Sequence, residues 1–159
     1  MNRLLLVALL ILLPAVARAQ AQATCSFSST PGASFGAYDD SSAVDTDTST
    51  SVTVNCARNG GPANISMTLQ IGPSAGSGLI ASRALRFGAN SLNYNLYRDA
   101  ARSLVWGQTA GVDTQTIAIN GIPNNGFKSG SFVIYGRIAA RQNVPAGAYS
   151  DSVQITVSP

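Results

Sequence analysis

Apolar side chains occupy every second position in several segments of the chain. In the clearest of these, Ile65, Met67, Leu69 and Ile71 alternate with polar residues. The same period of two recurs over residues 52–56, 92–96, 117–119, 132–138 and 153–157. Because successive side chains of an extended strand point to opposite faces, these segments predict β-strands with one buried face.

Glycine, proline and asparagine cluster between the alternating segments. The clusters lie at residues 59–62, 72–78, 120–126 and 145–147, and such residues interrupt helices and form turns. The segment 98–102 is long enough for one helical turn at most. Short strands at near-regular spacing predict an all-β fold, an antiparallel β-sandwich forming one domain.

The last 25 residues have the pattern strand, Pro/Gly turn, strand, after which the sequence stops. Val153, Ile155 and Val157 form the apolar face of the final strand. A strand without a downstream hairpin partner is expected at a sheet edge. Its unpaired backbone groups would then be a template for a strand from another molecule.

The first 19 residues predict a signal peptide. Arg3 precedes an apolar run from Leu4 to Leu13, and the small-x-small sequence Ala17-Arg18-Ala19 follows. The run is shorter than the ~20 apolar residues that a membrane-spanning helix needs. We therefore expect export, cleavage after residue 19, no transmembrane segment in the mature chain, and a single domain over residues 20–159.

Charge and composition exclude several classes of function. Without Arg3 and Arg18, eight basic residues face seven Asp, and the one lysine, Lys128, lies among scattered arginines. This near balance gives no basic stripe for nucleic acid. The chain has no His and no Glu, which removes Ser-His-Asp and Cys-His catalysis and the commonest zinc ligands. We expect a protein that is not an enzyme and has no cofactor.

The two cysteines, Cys25 and Cys56, both lie in the exported part. An even pair in an oxidising compartment is expected to form a disulfide. The bridge would close a loop of roughly 30 residues, which the chain-entropy model values at about 3–4 kcal/mol.

Two groups of residues suggest binding sites, each with a simpler alternative. Asp39, Asp40, Asp45 and Asp47 could bind calcium through oxygen ligands, although a solvated acidic loop is the favoured interpretation. Trp106 and the five tyrosines could form a sugar-binding platform, although core packing is favoured. Asp99 is expected to pair with Arg98 or Arg102 in a turn.

Three stretches together resemble the spore coat protein U family, whose domain also builds subunits of archaic chaperone–usher pili. The first contains Cys25, Phe35-Gly36-Ala-Tyr38 and Val52-Thr-Val-Asn-Cys56. The others contain Leu92-Asn-Tyr94 to Gly107 and Tyr135-Gly136 to Asp151. The motif residues assigned structural roles are Gly36, Tyr38, Tyr94, Tyr97, Asp99, Trp106, Gly107, Tyr135, Gly136, Gln142, Pro145, Gly147 and Asp151.

The resemblance implies an immunoglobulin-like sandwich that lacks its last strand. A periplasmic chaperone would lend a strand to the gap, and the N-terminal extension of another pilus subunit would replace it at the outer-membrane usher. The gap would lie beside the final strand, with the first strand on its other side. The residues expected to line this donor-strand groove are Phe27, Tyr149, Val153, Ile155 and Val157. The protein would pass through the periplasm to the cell surface, with a role in adhesion or biofilm.

The segment before Cys25 departs from a donor strand of this kind. After cleavage at residue 19, only Ala21 and Ala23 supply alternating apolar side chains, and alanine buries little apolar area. We therefore expect a subunit that accepts a strand better than it donates one, at a fibre tip, at its start, or outside a polymer. The alternatives are a spore or cell coat protein of the same family and a secreted sugar- or calcium-binding module.

Overall fold

A computed structural model describes residues 23–159, which form eight β-strands and no helix. The strands are β1 Thr24–Ser29, β2 Thr46–Arg58, β3 Ile65–Ser74, β4 Arg83–Phe87, β5 Asn90–Tyr97, β6 Gln115–Ile119, β7 Gly126–Ile138 and β8 Val153–Ser158. No helix in this part of the chain is long and apolar enough to cross a bilayer. The predicted signal peptide, residues 1–19, lies outside the described residues.

The strands form two antiparallel sheets that pack face to face. One sheet has the order β1-β2-β7-β5-β4 and the other has the order β6-β3-β8. The longest ladder joins β2 and β7 in unbroken register, from Thr46 opposite Ile138 to Arg58 opposite Gly126. The predicted antiparallel β-sandwich is confirmed.

The core contains the inward residues of both sheets. Val54, Leu69, Ile71 and Phe132 are all fully buried or nearly so, because alternate positions of their strands face the opposite sheet. Trp106 has no exposed surface, meets the edge of Phe132 at 6.2 Å between ring centroids, and donates a 2.9 Å hydrogen bond from Nε1 to the carbonyl of Leu69. Trp106 therefore has a core role.

The predicted disulfide joins the first two strands. Cys25 and Cys56 lie directly opposite each other in the β1–β2 ladder and are bonded through their sulfur atoms. The bridge spans a sequence separation of 31 residues. It fixes the short first strand to the longer β2.

Two expectations about polar and aromatic residues are wrong. The Asp99 carboxylate accepts hydrogen bonds from the amides of Ser103 and Leu104, and the Arg102 guanidinium forms its ion pair with Asp47 instead. Arg102 contacts Asp99 in the turn through its backbone amide, which donates to the Asp99 carbonyl at 3.0 Å. Core packing is the favoured prediction for Tyr97 and Tyr135, but they lie opposite each other on the outer face of their sheet. The strand period explains this, because their neighbours Leu96 and Ile134 take the inward positions.

Candidate functional site

The last strand, β8, is an edge strand whose apolar face is incompletely covered. It pairs with β3 on one side, with Val157 opposite Leu69 and Ile155 opposite Ile71. Within residues 23–159 no strand pairs with its other side. Leu69 and Ile71 are fully buried, whereas Val153, Ile155 and Val157 are only half-buried. Backbone groups and apolar side chains are thus available along the same edge.

The segment 30–38 forms a second wall opposite β8. It follows β1 but belongs to no strand. The carbonyls of Pro31 and Ser34 accept hydrogen bonds from the hydroxyls of Thr50 and Thr48 on β2, at 3.3 and 2.7 Å. None of the amides of residues 32–37 donates to another described residue. This wall therefore also presents backbone amides that have no partner in the part of the chain that the structure describes.

A cavity of about 360 Å³ separates the two walls. Its floor is made by core residues of both sheets, and its walls include residues of segment 30–35 and of β8. Its apolar lining includes Ala33, Phe35, Val52, Ile71, Leu85, Leu96, Ile134, Val153 and Ile155. A dry apolar cavity of about 150 Å³ already holds benzene, so this one has room for more than one apolar side chain.

A second cavity of about 720 Å³ continues from the first. The two share Gly32, Ala33, Phe35, Leu85 and Asp151 in their linings. The second is bounded by segment 32–38 on one side and by the loop at residues 144–151 on the other. We call the two cavities together the open groove.

Phe35 and Tyr38 hold segment 30–38 in place. The Phe35 ring packs edge-on against Tyr94, with centroids 5.7 Å apart, and lies over Gly136, where an added Cβ would come within 2.8 Å of it. The Tyr38 hydroxyl donates to the carbonyl of Ala139 at 3.0 Å and accepts from the amide of Gln142 at 2.7 Å. These contacts give Tyr38, Gly136 and Gln142 structural roles in holding the segment.

A polar cluster lies where the two cavities meet. The Tyr94 hydroxyl donates a 2.7 Å hydrogen bond to one oxygen of Asp151, and the amide of Gly76 donates to the other at 2.9 Å. Burial disfavours ionisation of Asp151, but its hydrogen bonds outweigh burial and hold the pKa of this carboxyl below its ordinary value. Burial and the bond to Asp151 raise the pKa of Tyr94. Tyr94 is therefore a neutral donor, and Asp151 an anion, at neutral pH.

Arg83 adjoins this cluster and has no exposed surface. Its guanidinium donates to the carbonyls of Ile71, Gly72 and Trp106 at 3.1, 2.8 and 2.8 Å, and to the side chain of Asn95 at 2.6 Å. It thereby connects β4 and β5 of one sheet to β3 of the other beside the groove.

The structure places the five expected groove residues unevenly. Val153 and Ile155 line the smaller cavity, and Tyr149 lines the larger one. Phe27 and Val157 pack against the core but lie outside both linings. Ala33 and Phe35 also line the groove, although the sequence analysis does not predict them there. Their separation by one residue is the spacing of two side chains on the same face of an extended segment.

The remaining motif residues support turns and close contacts. Gly36 has a positive φ of 72°, which favours glycine. A side chain on Gly107 would collide with the Asp113 carboxylate, and one on Gly147 would collide with the Phe87 ring. The Tyr149 hydroxyl donates to the carbonyl of Pro145 at 2.9 Å.

The acidic stretch at residues 39–47 does not gather into a metal site. Arg137 makes a two-pronged contact with Asp47, at 2.8 and 2.9 Å, and also approaches Asp45 at 3.3 Å. Asp39 accepts from the amide and hydroxyl of Ser41. Among residues 23–159 no three His, Cys, Asp or Glu side chains are grouped so that they could hold a metal ion.

Comparison with known proteins gives a family and a fold. The family model described as the Spore Coat Protein U domain matches residues 12–156. A curated relative, "Protein U" of Myxococcus xanthus, is 34% identical over 89 residues, which cover 54% of this chain and 46% of the relative. The chain spans about half the length of the curated relative it matches.

A solved structure shares the fold at low sequence identity. It is the CsuC–CsuE chaperone–tip adhesion subunit pre-assembly complex from archaic chaperone–usher Csu pili of Acinetobacter baumannii. The match has a TM-score of 0.57 and 18% identity, and covers 86% of this chain and 39% of the matched chain. At this identity the likeness supports the immunoglobulin-like sandwich fold.

Proposed function

The chain belongs to the Spore Coat Protein U domain family, and we propose that it is a non-enzymatic structural subunit of an archaic chaperone–usher surface pilus. In this proposal the open groove accepts a β-strand from another protein. The observation that carries it is the half-buried apolar edge of β8 facing the unpaired segment 30–38 across an apolar cavity.

Physical chemistry favours an extended peptide as the occupant of the groove. A strand laid between β8 and segment 30–38 would pair its backbone with unpaired groups on one or both walls. Its alternate side chains would enter the cavity beside Val153 and Ile155, and each Val, Ile or Leu buried there contributes about 1.5–3 kcal/mol. The strand would thus complete both the sheet and the core.

The proposal implies specific partners and a route. A periplasmic chaperone occupies the groove first, and another pilus subunit replaces it at an outer-membrane usher. Residues 1–19 direct export, and the Cys25–Cys56 disulfide is suited to the oxidising periplasm. The mature protein then resides at the cell surface, where adhesion and biofilm formation are its proposed roles.

Co-purification from periplasm tests the proposal. We expect the tagged chain to be recovered with a chaperone in a one-to-one complex. Ile155→Asp, which puts a charge into the cavity, should weaken recovery at least about tenfold, because burial of an unpaired carboxylate opposes strand insertion. Thr156→Asp is the matched control, since Thr156 is exposed on the opposite face of β8, and it should leave recovery unchanged.

Two outcomes of the co-purification would contradict different parts of the proposal. Recovery of the wild-type chain as a stable monomer without a chaperone would contradict the proposed function. Equal recovery of the Ile155→Asp and Thr156→Asp variants with a chaperone would place the partner elsewhere than in the open groove.

We further propose that this subunit accepts a strand better than it donates one. Only Ala21 and Ala23 alternate in the sequence between residue 19 and Cys25, and they bury far less area than Val or Ile would. Such a subunit would occupy the tip or the start of a fibre, or remain outside it. Sequencing the N-terminus of the mature protein tests this, because a start upstream of Arg18 would add Val16 and Ala17 to the tail and contradict it.

A second candidate function is a coat protein of the same family. The family description and the 34% identity to "Protein U" favour it. A coat protein could self-associate without exchanging strands. Localising a tagged copy separates the two, since fibres on the cell surface support the pilus role and an even layer around a resting cell supports the coat role.

A further inference from the structure

Asp151 interrupts an apolar stripe on the segment that forms the β8 wall of the open groove. Tyr149, Asp151, Val153 and Ile155 occupy alternate positions of the chain, and each of them lines a cavity of the groove. Tyr149 lines the larger cavity, Val153 and Ile155 line the smaller one, and Asp151 borders both. A carboxylate therefore lies between two apolar stretches of the same wall.

The backbone at Asp151 passes from one sheet to the other. Ser152 still belongs to the β3 side, because its carbonyl accepts from the amide of Ala75 at 3.0 Å. Ser150 instead exchanges two backbone hydrogen bonds with Arg86 of β4, at 2.8 and 3.1 Å. Neither the amide nor the carbonyl of Asp151 is bonded to another residue in the range 23–159. A strand that pairs along this edge would place one of its side chains beside that of Asp151.

The hydrogen-bond donors around the Asp151 carboxylate are neutral. It accepts from the Tyr94 hydroxyl at 2.7 Å and from the Gly76 amide at 2.9 Å. The Ser74 hydroxyl and the Ser152 amide also help to lower its pKa. In the described part of the chain Asp151 forms no ion pair, so its charge has no cationic contact of its own.

The groove as a whole is negatively charged. The charged residues in the two linings are Asp40, which is exposed, and Asp151, which is partly buried. Neither lining includes a lysine or an arginine of residues 23–159. Arg83 is attracted by Asp151, but its terminal nitrogens donate to Asn95 and to backbone carbonyls instead. A strand that entered the groove would therefore remove water from an anion that lacks a counter-ion in contact.

We propose that the open groove selects a donor strand with a lysine or an arginine at the position facing Asp151, between apolar residues two positions away on either side. The inference rests on the proposed function, because it requires a strand to enter the groove. The flanking apolar residues would face Val153 and Tyr149, since alternate side chains of a strand share a face. Covering a charge without a new partner is unfavourable, whereas opposite charges on neighbouring strands attract and like charges repel.

Binding of three designed peptides to the mature protein tests the selection. Each peptide has valine at positions one, three, seven and nine, threonine at the even positions, and lysine, threonine or glutamate at position five. The pattern is symmetrical, so the central residue is tested whichever way the peptide runs. In fluorescence anisotropy titrations, the lysine peptide should bind at least about tenfold more tightly than the glutamate peptide, with the threonine peptide between them.

Two substitutions test whether Asp151 is the selecting group. Asp151→Asn removes the charge and keeps an oxygen that can accept from Tyr94, so the lysine and glutamate peptides should bind within about twofold of each other. Asp39→Asn is the matched control, because Asp39 is an exposed carboxylate outside both linings. It removes the same charge and should keep the full difference between the two peptides.

The outcomes separate this inference from the proposed function. Equal binding of the lysine and glutamate peptides to the wild-type chain would overturn the selection, while binding itself would still support a strand-accepting groove. If none of the peptides binds, the proposed function fails and the inference fails with it. An undiminished preference in Asp151→Asn would assign the selection to another group and contradict the role of Asp151. The wild-type comparison decides the proposal even if that variant does not fold.

Discussion

The residue with the most hydrogen bonds beside the open groove is Arg83, a fully buried cation. Alternation of apolar positions does not predict β4, because Arg83 occupies an inward position in that strand. Its guanidinium donates hydrogen bonds to backbone carbonyls, where an apolar side chain would make packing contacts. A buried charge needs hydrogen bonds to replace those it made to water. Both terminal nitrogens of Arg83 have them, while Nε has no hydrogen-bond partner among the described residues. The burial of Arg83 is explained by the carbonyls of Ile71, Gly72 and Trp106, which the fold brings around its guanidinium.

Replacing Arg83 should destabilise the subunit strongly. Arg83→Met removes the guanidinium donor from the buried carbonyls of Ile71, Gly72 and Trp106, and each group left unpaired costs about 1–3 kcal/mol. We expect urea denaturation to show a loss of at least about 3 kcal/mol in the free energy of unfolding. Arg86→Ala is the control, since Arg86 is exposed with a single side-chain bond to Gly76. Equal losses in the two variants would contradict this role.

Asp151 should make stability depend on pH at acid values. Its pKa is lowered in the folded state, so its stabilising contribution is present above its unfolded pKa of about 3.9 and disappears as the pH falls through the folded value. Asp151→Asn should therefore be less stable than wild type at neutral pH, and the difference should shrink on acidification from about pH 5 to pH 2. Urea titrations across this range measure both curves. A constant difference would exclude Asp151 as its source.

At the scale of elements, sequence periodicity predicts the strands well, but it does not predict segment 30–38, the wall of the groove opposite β8. The alternation over residues 65–71, 92–96 and 132–138 corresponds to β3, β5 and β7. Segment 30–38 has no ladder partner among residues 23–159 and too few apolar residues for a clear period. Phe35 acquires its place only because Gly136, distant in sequence, leaves room for its ring.

A pair of glycine substitutions tests how segment 30–38 is held. Gly136→Ala places a methyl group within 2.8 Å of Phe35 and 2.9 Å of Thr48, so we expect a loss of about 1–3 kcal/mol in the free energy of unfolding. Gly32→Ala is the matched control, because an added Cβ there meets nothing within 4 Å. It should leave stability unchanged or slightly raised. Thermal or urea unfolding of both variants provides the measurement, and equal effects would refute the role of Gly136.

At the scale of the whole molecule, the open groove is a single feature built from distant parts of the chain. The alternation of Val153, Ile155 and Val157 predicts β8 and its apolar face. The opposite wall and the floor of the groove could not be predicted, because they depend on how the two sheets face each other. In the acidic stretch, residues that are close in sequence suggest a shared site that the fold does not form. Asp45 and Asp47 form ion pairs with Arg137.

Hydrogen exchange with and without a donor strand tests the central claim most directly. The mature protein is mixed with a synthetic peptide of alternating Val and Thr, and with a control peptide of alternating Ser and Thr that offers the same backbone without bulky apolar side chains. We predict slower amide exchange in residues 153–158 and 30–38 with the Val-containing peptide only. Unchanged exchange in both segments at saturating peptide would contradict the open groove as a strand-binding site.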